Sequence, residues 1–461
     1  AFTSNHYPYV FNNLKLKREN AGFNKSFLSV DATYKNDKTI FSLYASFLHL
    51  RSGIPGFVVT NNYSSSRAQN FNRSFLSILN SEIVFSDNLQ YNGVFYFNHQ
   101  ELEISDPDGI IVFADSKKDS RLSEYSFQNK LSFSKGVFNS NIIYTVSFSQ
   151  LNNITSFVSS NDSPEKISSV NHLIFLGGNY SFIKPITMPF AIRLSTGAGV
   201  QLLNEKLQRE NHSQNFYYRA GVAVFPDNLP QLVFKAHYAN EFRVPTFNER
   251  YYSNLFNHYD LKQETYDSFD AGVDAELGIF DGLELSAVYY DIRGKDKIIW
   301  IPTRLAIQTP RNIAEVASRG IEFSANQKLL NKKLELSIVY NYADARNKTK
   351  LSASDYNYNK QLIYTPLHKL NSGITYTDDN CFISVNSSFV SQRFYTSDNN
   401  PLYALPDYFV LDLSAGIKFV LTGIKHRFSI TVYNLFDENY FVIQSYPMPL
   451  RTYLLTYSLE I

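Results

Sequence analysis

Apolar side chains return at every second residue of this chain, in one segment after another. Tyr453, Leu455, Tyr457, Leu459 and Ile461 share one side of an extended strand, and Leu454, Thr456, Ser458 and Glu460 share the other. The same period runs through Phe41/Leu43/Ala45/Phe47, Ile142/Tyr144/Val146/Phe148, Leu283/Leu285/Ala287/Tyr289, Leu334/Leu336/Ile338/Tyr340 and Leu411/Leu413/Ala415/Ile417/Phe419. Successive side chains of a strand point to opposite faces, so each segment has a greasy face and a wetter one. A helix needs a period near 3.6, and no amphipathic helix emerges.

The connections decide what covers the greasy faces. Lys35-Asn36-Asp37-Lys38, Phe280-Asp281-Gly282 and Leu421-Thr422-Gly423 are short turns of Asn, Asp and Gly chemistry. Between them lie long polar loops, at 61–70, 105–120, 204–214, 251–263, 347–359 and 397–405. Strands of about 10–15 residues joined alternately by short turns and long loops describe a transmembrane antiparallel β-barrel, lipid outside and water within. About nineteen strands are expected, with no internal boundary, so that 1–461 is one barrel domain. A last strand with no polar tail suits the closing strand of such a barrel.

The bulk numbers agree. Mean hydropathy is −0.24, too polar for a helical membrane protein. No run nears the roughly 18 apolar residues that a membrane helix needs. Phe (38) and Tyr (33) are abundant, as strands and the membrane–water boundary favour. A net charge of +1 gives no reason to expect nucleic acid as a partner. The single Cys381 excludes an internal disulfide and is expected to be an inert packed thiol. The first thirteen residues carry no signal peptide, so processing or a continuation upstream is expected.

Several stretches resemble the barrel of TonB-dependent outer-membrane receptors. Glu241-Phe242-Arg243-Val244-Pro245-Thr246-Phe247-Asn248-Glu249 is similar to the family's Phe-Arg-Ala-Pro box. Asp260-Leu261-Lys262-Gln263-Glu264 resembles the Asn-Leu-Lys-Pro-Glu that follows it, with Gln263 in place of proline. Arg311-Asn312, then Arg319-Gly320-Ile321-Glu322, resembles a later strand of the family. Asn434-Leu435-Phe436-Asp437 and Tyr446-Pro447-Met448-Pro449-Leu450-Arg451 look like its ending, with Leu450 where Gly is usual. Lys17-Arg18-Glu19-Asn20 and Gly53-Ile54-Pro55-Gly56 resemble early barrel segments.

The resemblance implies a 22-stranded barrel in the outer membrane of a Gram-negative bacterium, an N-terminal plug, and energy from the TonB complex acting through the plug. This chain has no plug-like segment. By this likeness the plug and about three first strands are expected on another chain or a missing segment, with residues 6–25 forming an outward loop. The implied function is active uptake of a bulky, scarce nutrient such as a siderophore or cobalamin. Tyr63, Tyr251, Tyr252, Tyr356, Tyr358 and Tyr395 are the expected loop contacts to it, since aromatic faces suit bulky ligands. Arg243, Arg319 and Glu322 are expected to face the lumen and dock the plug.

Other readings are weaker. His258 as a haem ligand lacks the Asn-Pro-Asn-Leu box of haem receptors. The carboxylates Asp106, Asp108, Asp115 and Asp119 lack EF-hand spacing and read as a solvated loop. Lys117 and Lys118 suit the anionic lipid of the outer leaflet. No nucleophile elbow, phosphate loop or zinc spacing is present, so neither an enzyme nor a cofactor is expected. The alternatives are a passive porin or adhesive barrel without energy coupling and, as a minority view, an outer-membrane hydrolase.

Overall fold

The computed structural model describes residues 7–460 except 12, 57, 59–66, 109–115, 154–165, 183–188, 207–209, 247–248, 251–260, 303–307 and 351. Nineteen long strands form one antiparallel sheet in chain order. They are β1 Phe23–Lys35, β2 Thr39–Gly53, β3 Gln69–Ser86, β4 Leu89–Asp106, β5 Ser116–Lys135, β6 Phe138–Asn153, β7 Lys166–Phe182, β8 Phe190–Lys206, β9 Glu210–Pro226 and β10 Leu232–Arg243. After them come β11 Glu264–Leu277, β12 Leu283–Pro302, β13 Gln308–Leu329, β14 Leu334–Asn347, β15 His368–Thr377, β16 Cys381–Val390, β17 Tyr408–Leu421, β18 Ile424–Tyr433 and β19 Thr452–Glu460. The sheet curls into a barrel with a short-turn end and a long-loop end. The expected strand number and fold class hold.

Turn chemistry fixes the short-turn end. The Asn36 side chain accepts from the N–H groups of Lys38 and Thr39 at 3.0 and 2.8 Å, closing the β1–β2 hairpin. Gly282 and Gly423 take φ of 120° and 81°, a region closed to most side chains, at the β12 and β18 hairpins.

Register assigns the faces, because partners across a ladder share one. Tyr289, Ile321 and Tyr342 form one row across β12, β13 and β14. Tyr289 and Ile321 are 41% and 48% exposed, as a wall meeting lipid requires. The opposite face of the same strands carries Ser286, Glu322, Ser324 and Asn341, a polar lumen lining. A predominantly apolar outer row against a predominantly polar inner one is what the sequence period demands of a barrel in lipid.

One junction differs from the others. Neighbouring strands share ladders of seven (β9–β10) to nineteen (β12–β13) residue pairs. The circuit brings β19 back beside β1. Among the described residues, however, no ladder of this kind joins those two, and every residue of β1 and residues 453–459 of β19 are exposed. The circuit is nonetheless a closed one, with β19 next to β1.

Candidate functional site at the long-loop rim

Three of the sequence motifs meet at the rim over β10–β13. Arg243 ends β10 and lies opposite Glu264, the first residue of β11. Its guanidinium donates to Glu264 at 2.6 and 2.8 Å and to Glu249 at 2.9 Å through each terminal nitrogen. Such forked contacts between Arg and carboxylate are the strong, directional kind. Glu264 is nearly fully buried. It also accepts from the Tyr266 hydroxyl and, at 2.6 Å, from the Ile298 N–H of β12. Every oxygen of this buried carboxylate is thereby answered, as burial of a charge requires.

Local chemistry places Glu249. The Thr246 hydroxyl accepts from the Glu249 N–H at 3.2 Å while the Glu249 carboxylate accepts from the Thr246 N–H at 2.8 Å. This reciprocal pair is a capping box, written in the sequence as Thr246-x-x-Glu249. Burial alone would raise the pKa of Glu249, but hydrogen bonds from Arg243 and from the Thr246 N–H outweigh it and hold the carboxyl below its ordinary range. Next to it, Arg250 pairs with the buried Glu205 of β8. Asn312 completes the group by exchanging hydrogen bonds with the Lys262 backbone, both at 3.0 Å.

The early and late motifs meet at the same rim, above the junction of β19 and β1. Residues Tyr7–Phe11 and Leu14–Arg18 form a small hairpin. Buried Arg18 donates to the carbonyls of Pro55 (3.1 Å) and Gly56. Asn20 donates to Ala68 O at 2.7 Å, and its carbonyl leaves Gly53 no room for a Cβ. From the other side of that junction, Ser445 O accepts from Val58 N at 2.7 Å, Pro447 O from the Tyr7 hydroxyl at 2.9 Å, and Leu450 N donates to Pro8 O at 3.2 Å. Tyr9, Val58, Ala68 and Leu450 are at most 3% exposed there. The result is a clasp that ties the two ends of the sheet together at the rim.

The expected trio Arg243, Arg319 and Glu322 is split. Arg243 shares its face with Ser268 and hence with Glu322 on the lumen side. Arg319, three residues before Glu322, falls in the row of Asp291 and Asp344 on the outer wall. The expectation that it faces the lumen is therefore corrected, because an odd separation along an unbroken strand reverses the face. Glu322 accepts from Asn341 at 3.0 Å.

Among the expected ligand contacts, Tyr356 is 82% exposed and Tyr358 43% exposed at the rim. Tyr395 belongs to the next loop, its ring 5.9 Å from that of Tyr403. Mutual hydrogen bonds of Gln361 and Asn399, at 2.6 and 2.9 Å, bind these two loops to each other. Tyr63, Tyr251, Tyr252, His258 and Asp115 lie outside the described residues. Asp108 is engaged by Arg67 at 2.5 Å. Among the described residues no group of His, Cys, Asp and Glu could hold a metal ion. Glu249, Glu264, Tyr266, Glu205 and Arg250 were not singled out as site residues from the sequence; the capping-box spacing was the available signal for Glu249.

An alternating nineteen-stranded wall with a polar lumen, a lipid-ready exterior and a built rim defines a large membrane β-barrel. The family described as TonB dependent receptor-like, beta-barrel matches residues 3–435, and the chain belongs to it. Solved structures agree in fold. The unliganded ferric citrate transporter FecA superposes with a TM-score of 0.73 at 14% identity, over 97% of this chain and 72% of that one. BauA, the ferric preacinetobactin receptor of Acinetobacter baumannii, gives 0.68 at 13%, over 95% and 72%. The copper transporter OprC gives 0.71 at 15%, over 94% and 72%. Among curated proteins none matches.

Proposed function

We propose that this chain is the barrel of an outer-membrane transporter that takes up a bulky, scarce nutrient with energy from the TonB complex. The observation that carries it is the convergence of the family's motifs on one rim, where Arg243, Glu249 and Glu264 brace the loop after β10. A braced rim suits loops that must present a binding surface. Tyr356, Tyr358 and Tyr395, with Tyr63, Tyr251 and Tyr252, are the proposed contacts. The ligand class is a metal chelate or similar: siderophore or cobalamin. The titles of the related structures name ferric chelates and copper.

The lumen, whose face carries Glu322 and Arg243, is proposed to hold a plug through which TonB acts. Arg319 takes no part in that docking, since its side chain meets the outer leaflet. The barrel performs no chemistry in this reading.

Uptake tests it. A strain lacking the gene should fail to grow on a scarce iron or corrinoid source that the wild type uses, and loss of TonB should reproduce the defect. Unchanged growth and uptake on all such sources in the deletion strain would overturn the reading; uptake that persists without TonB would convert it to a passive pore.

A further inference from the structure

Beside the clasp the rim holds a cavity of about 290 Å³. Its walls come from three stretches far apart in sequence: Val10 and Phe11 of the small hairpin, 404–407 ahead of β17, and 439–445 on the return to β19. Buried Arg393 sets two of these walls in place. Its guanidinium donates to Pro406 O at 3.2 Å and to Phe441 O, and lies 5.1 Å from the Tyr408 ring. Tyr408 in turn packs on Tyr440 with ring centres 4.5 Å apart, and Tyr440 O accepts from Met448 N at 3.0 Å. The bond from Leu450 N to Pro8 O, at 3.2 Å, holds the third wall. A cavity braced from behind keeps its shape without a ligand, which lowers the ordering cost of binding one.

The polar groups of the lining are unspent. Elsewhere on this rim side chains answer one another, as Arg243, Glu249 and Glu264 do. Asp407, Asn439, Tyr440 and Gln444 line the cavity, and among the described residues none of their side chains makes a hydrogen bond or an ion pair. Together they offer a carboxylate, two amides and a phenol, donors and acceptors both. Burial pushes the Tyr440 hydroxyl above its ordinary pKa, so it stays protonated and can donate. Val10 and Phe11 supply an apolar wall beside them. Charge narrows the ligand further. Among the described residues no Lys, Arg or His lines the cavity to hold an anion. Asp407 is its one carboxylate, and the Arg393 cation behind Pro406 and Phe441 offsets it, which removes the advantage of an amine.

We propose that this cavity binds one neutral, polyhydroxylated ring, a hexose unit. Such a ring has an apolar C–H face and an edge of hydroxyls that both donate and accept, the same division that the cavity presents. The volume lies at the small end of the range for ligand sites, about 300–1,000 Å³. It takes a single sugar ring and excludes a bulky chelate. The site is therefore separate from the contacts proposed for Tyr356 and Tyr358. The inference does not rest on the transport reading: binding of a free sugar is measured without growth, uptake or TonB, so either one fails without the other.

Saturation-transfer NMR tests it, on the complete receptor purified from outer membranes in a detergent without a sugar head group. The probes are the methyl glycosides of glucose, mannose, galactose and N-acetylglucosamine, with putrescine and acetate as charged controls. At least one glycoside should bind, and neither charged probe should. Asp407→Ala should weaken that binding by about tenfold, and Tyr440→Phe, which keeps the ring and loses only the hydroxyl, by about threefold. Leu402→Ser, exposed on the same loop but outside the cavity, should leave it unchanged. Heat-modifiable gel mobility reports that each variant is folded. Failure of every glycoside to bind overturns the proposal, as does preferential binding of putrescine or acetate. A glycoside held by the Asp407 and Tyr440 variants as tightly as by the wild type occupies some other place, and that result overturns it too.

Discussion

Arg243 and Glu264 face each other across β10 and β11, twenty-one residues apart in sequence, joined by two hydrogen bonds of 2.6 and 2.8 Å. The carboxylate is buried while the guanidinium is 39% exposed, so water reaches one partner and not the other. Removing the cation strands a charge that the protein cannot rehydrate. Arg243→Ala should lower barrel stability by about 1–3 kcal/mol, less than a fully buried pair because of that exposure. Arg243→Lys should recover only part, having no fork. Urea unfolding from lipid vesicles checks this, and a loss under about 0.3 kcal/mol would sink it.

The same cluster makes the rim sensitive to acid. The Glu249 carboxyl sits below its ordinary range. A depressed acid contributes stability that is complete above the unfolded value near 4.5 and is lost as pH falls through the folded one. Proteolysis of the segment after Pro245 should therefore be constant between pH 8 and pH 5 and rise only below about pH 4. Glu249→Gln should raise cleavage at neutral pH and flatten that dependence. Cleavage that climbs between pH 8 and pH 6 would point to another group.

Asn434 carries the turn that returns the chain to β19. It is buried and holds φ at 54°, a conformation Asn tolerates better than most residues. Its N–H donates to Asp412 at 2.8 Å, and its side chain exchanges hydrogen bonds with the Glu438 backbone, both at 2.8 Å. Asn434→Ala should cost about 1–3 kcal/mol. Asn434→Gly should cost less by easing the backbone while still losing the side-chain bonds. If the two variants melt alike, the backbone conformation contributes nothing.

Ligand recognition is placed on the aromatic loops. Tyr356→Ala and Tyr358→Ala should each weaken nutrient binding by roughly five- to tenfold with no change in the heat-modifiable gel mobility of the folded barrel. Equilibrium binding to whole cells measures it. Wild-type affinity in the double variant would move the contact elsewhere on the rim.

Much of this architecture was legible in the chain because a barrel wall in lipid must alternate. Ile142, Tyr144 and Val146 could be assigned to a strand without knowing their neighbours, and Asn36 and Gly282 marked their turns by the conformations they permit. The motif residues were legible as a likeness, but not as contacts. Nothing in the spacing of Arg18 and Tyr446, more than four hundred residues apart, reveals that the guanidinium lies 6.0 Å from that ring. Arg319 shows the reverse case: counting three residues to Glu322 would have separated their faces, and arithmetic was available where resemblance misled.

The clasp bears on how such a molecule is made. The bond from the Tyr7 hydroxyl to Pro447 O spans 440 residues of sequence. So distant a fastening can form only after nearly all the intervening hairpins exist, and the first and last segments must find each other before the cylinder is sealed.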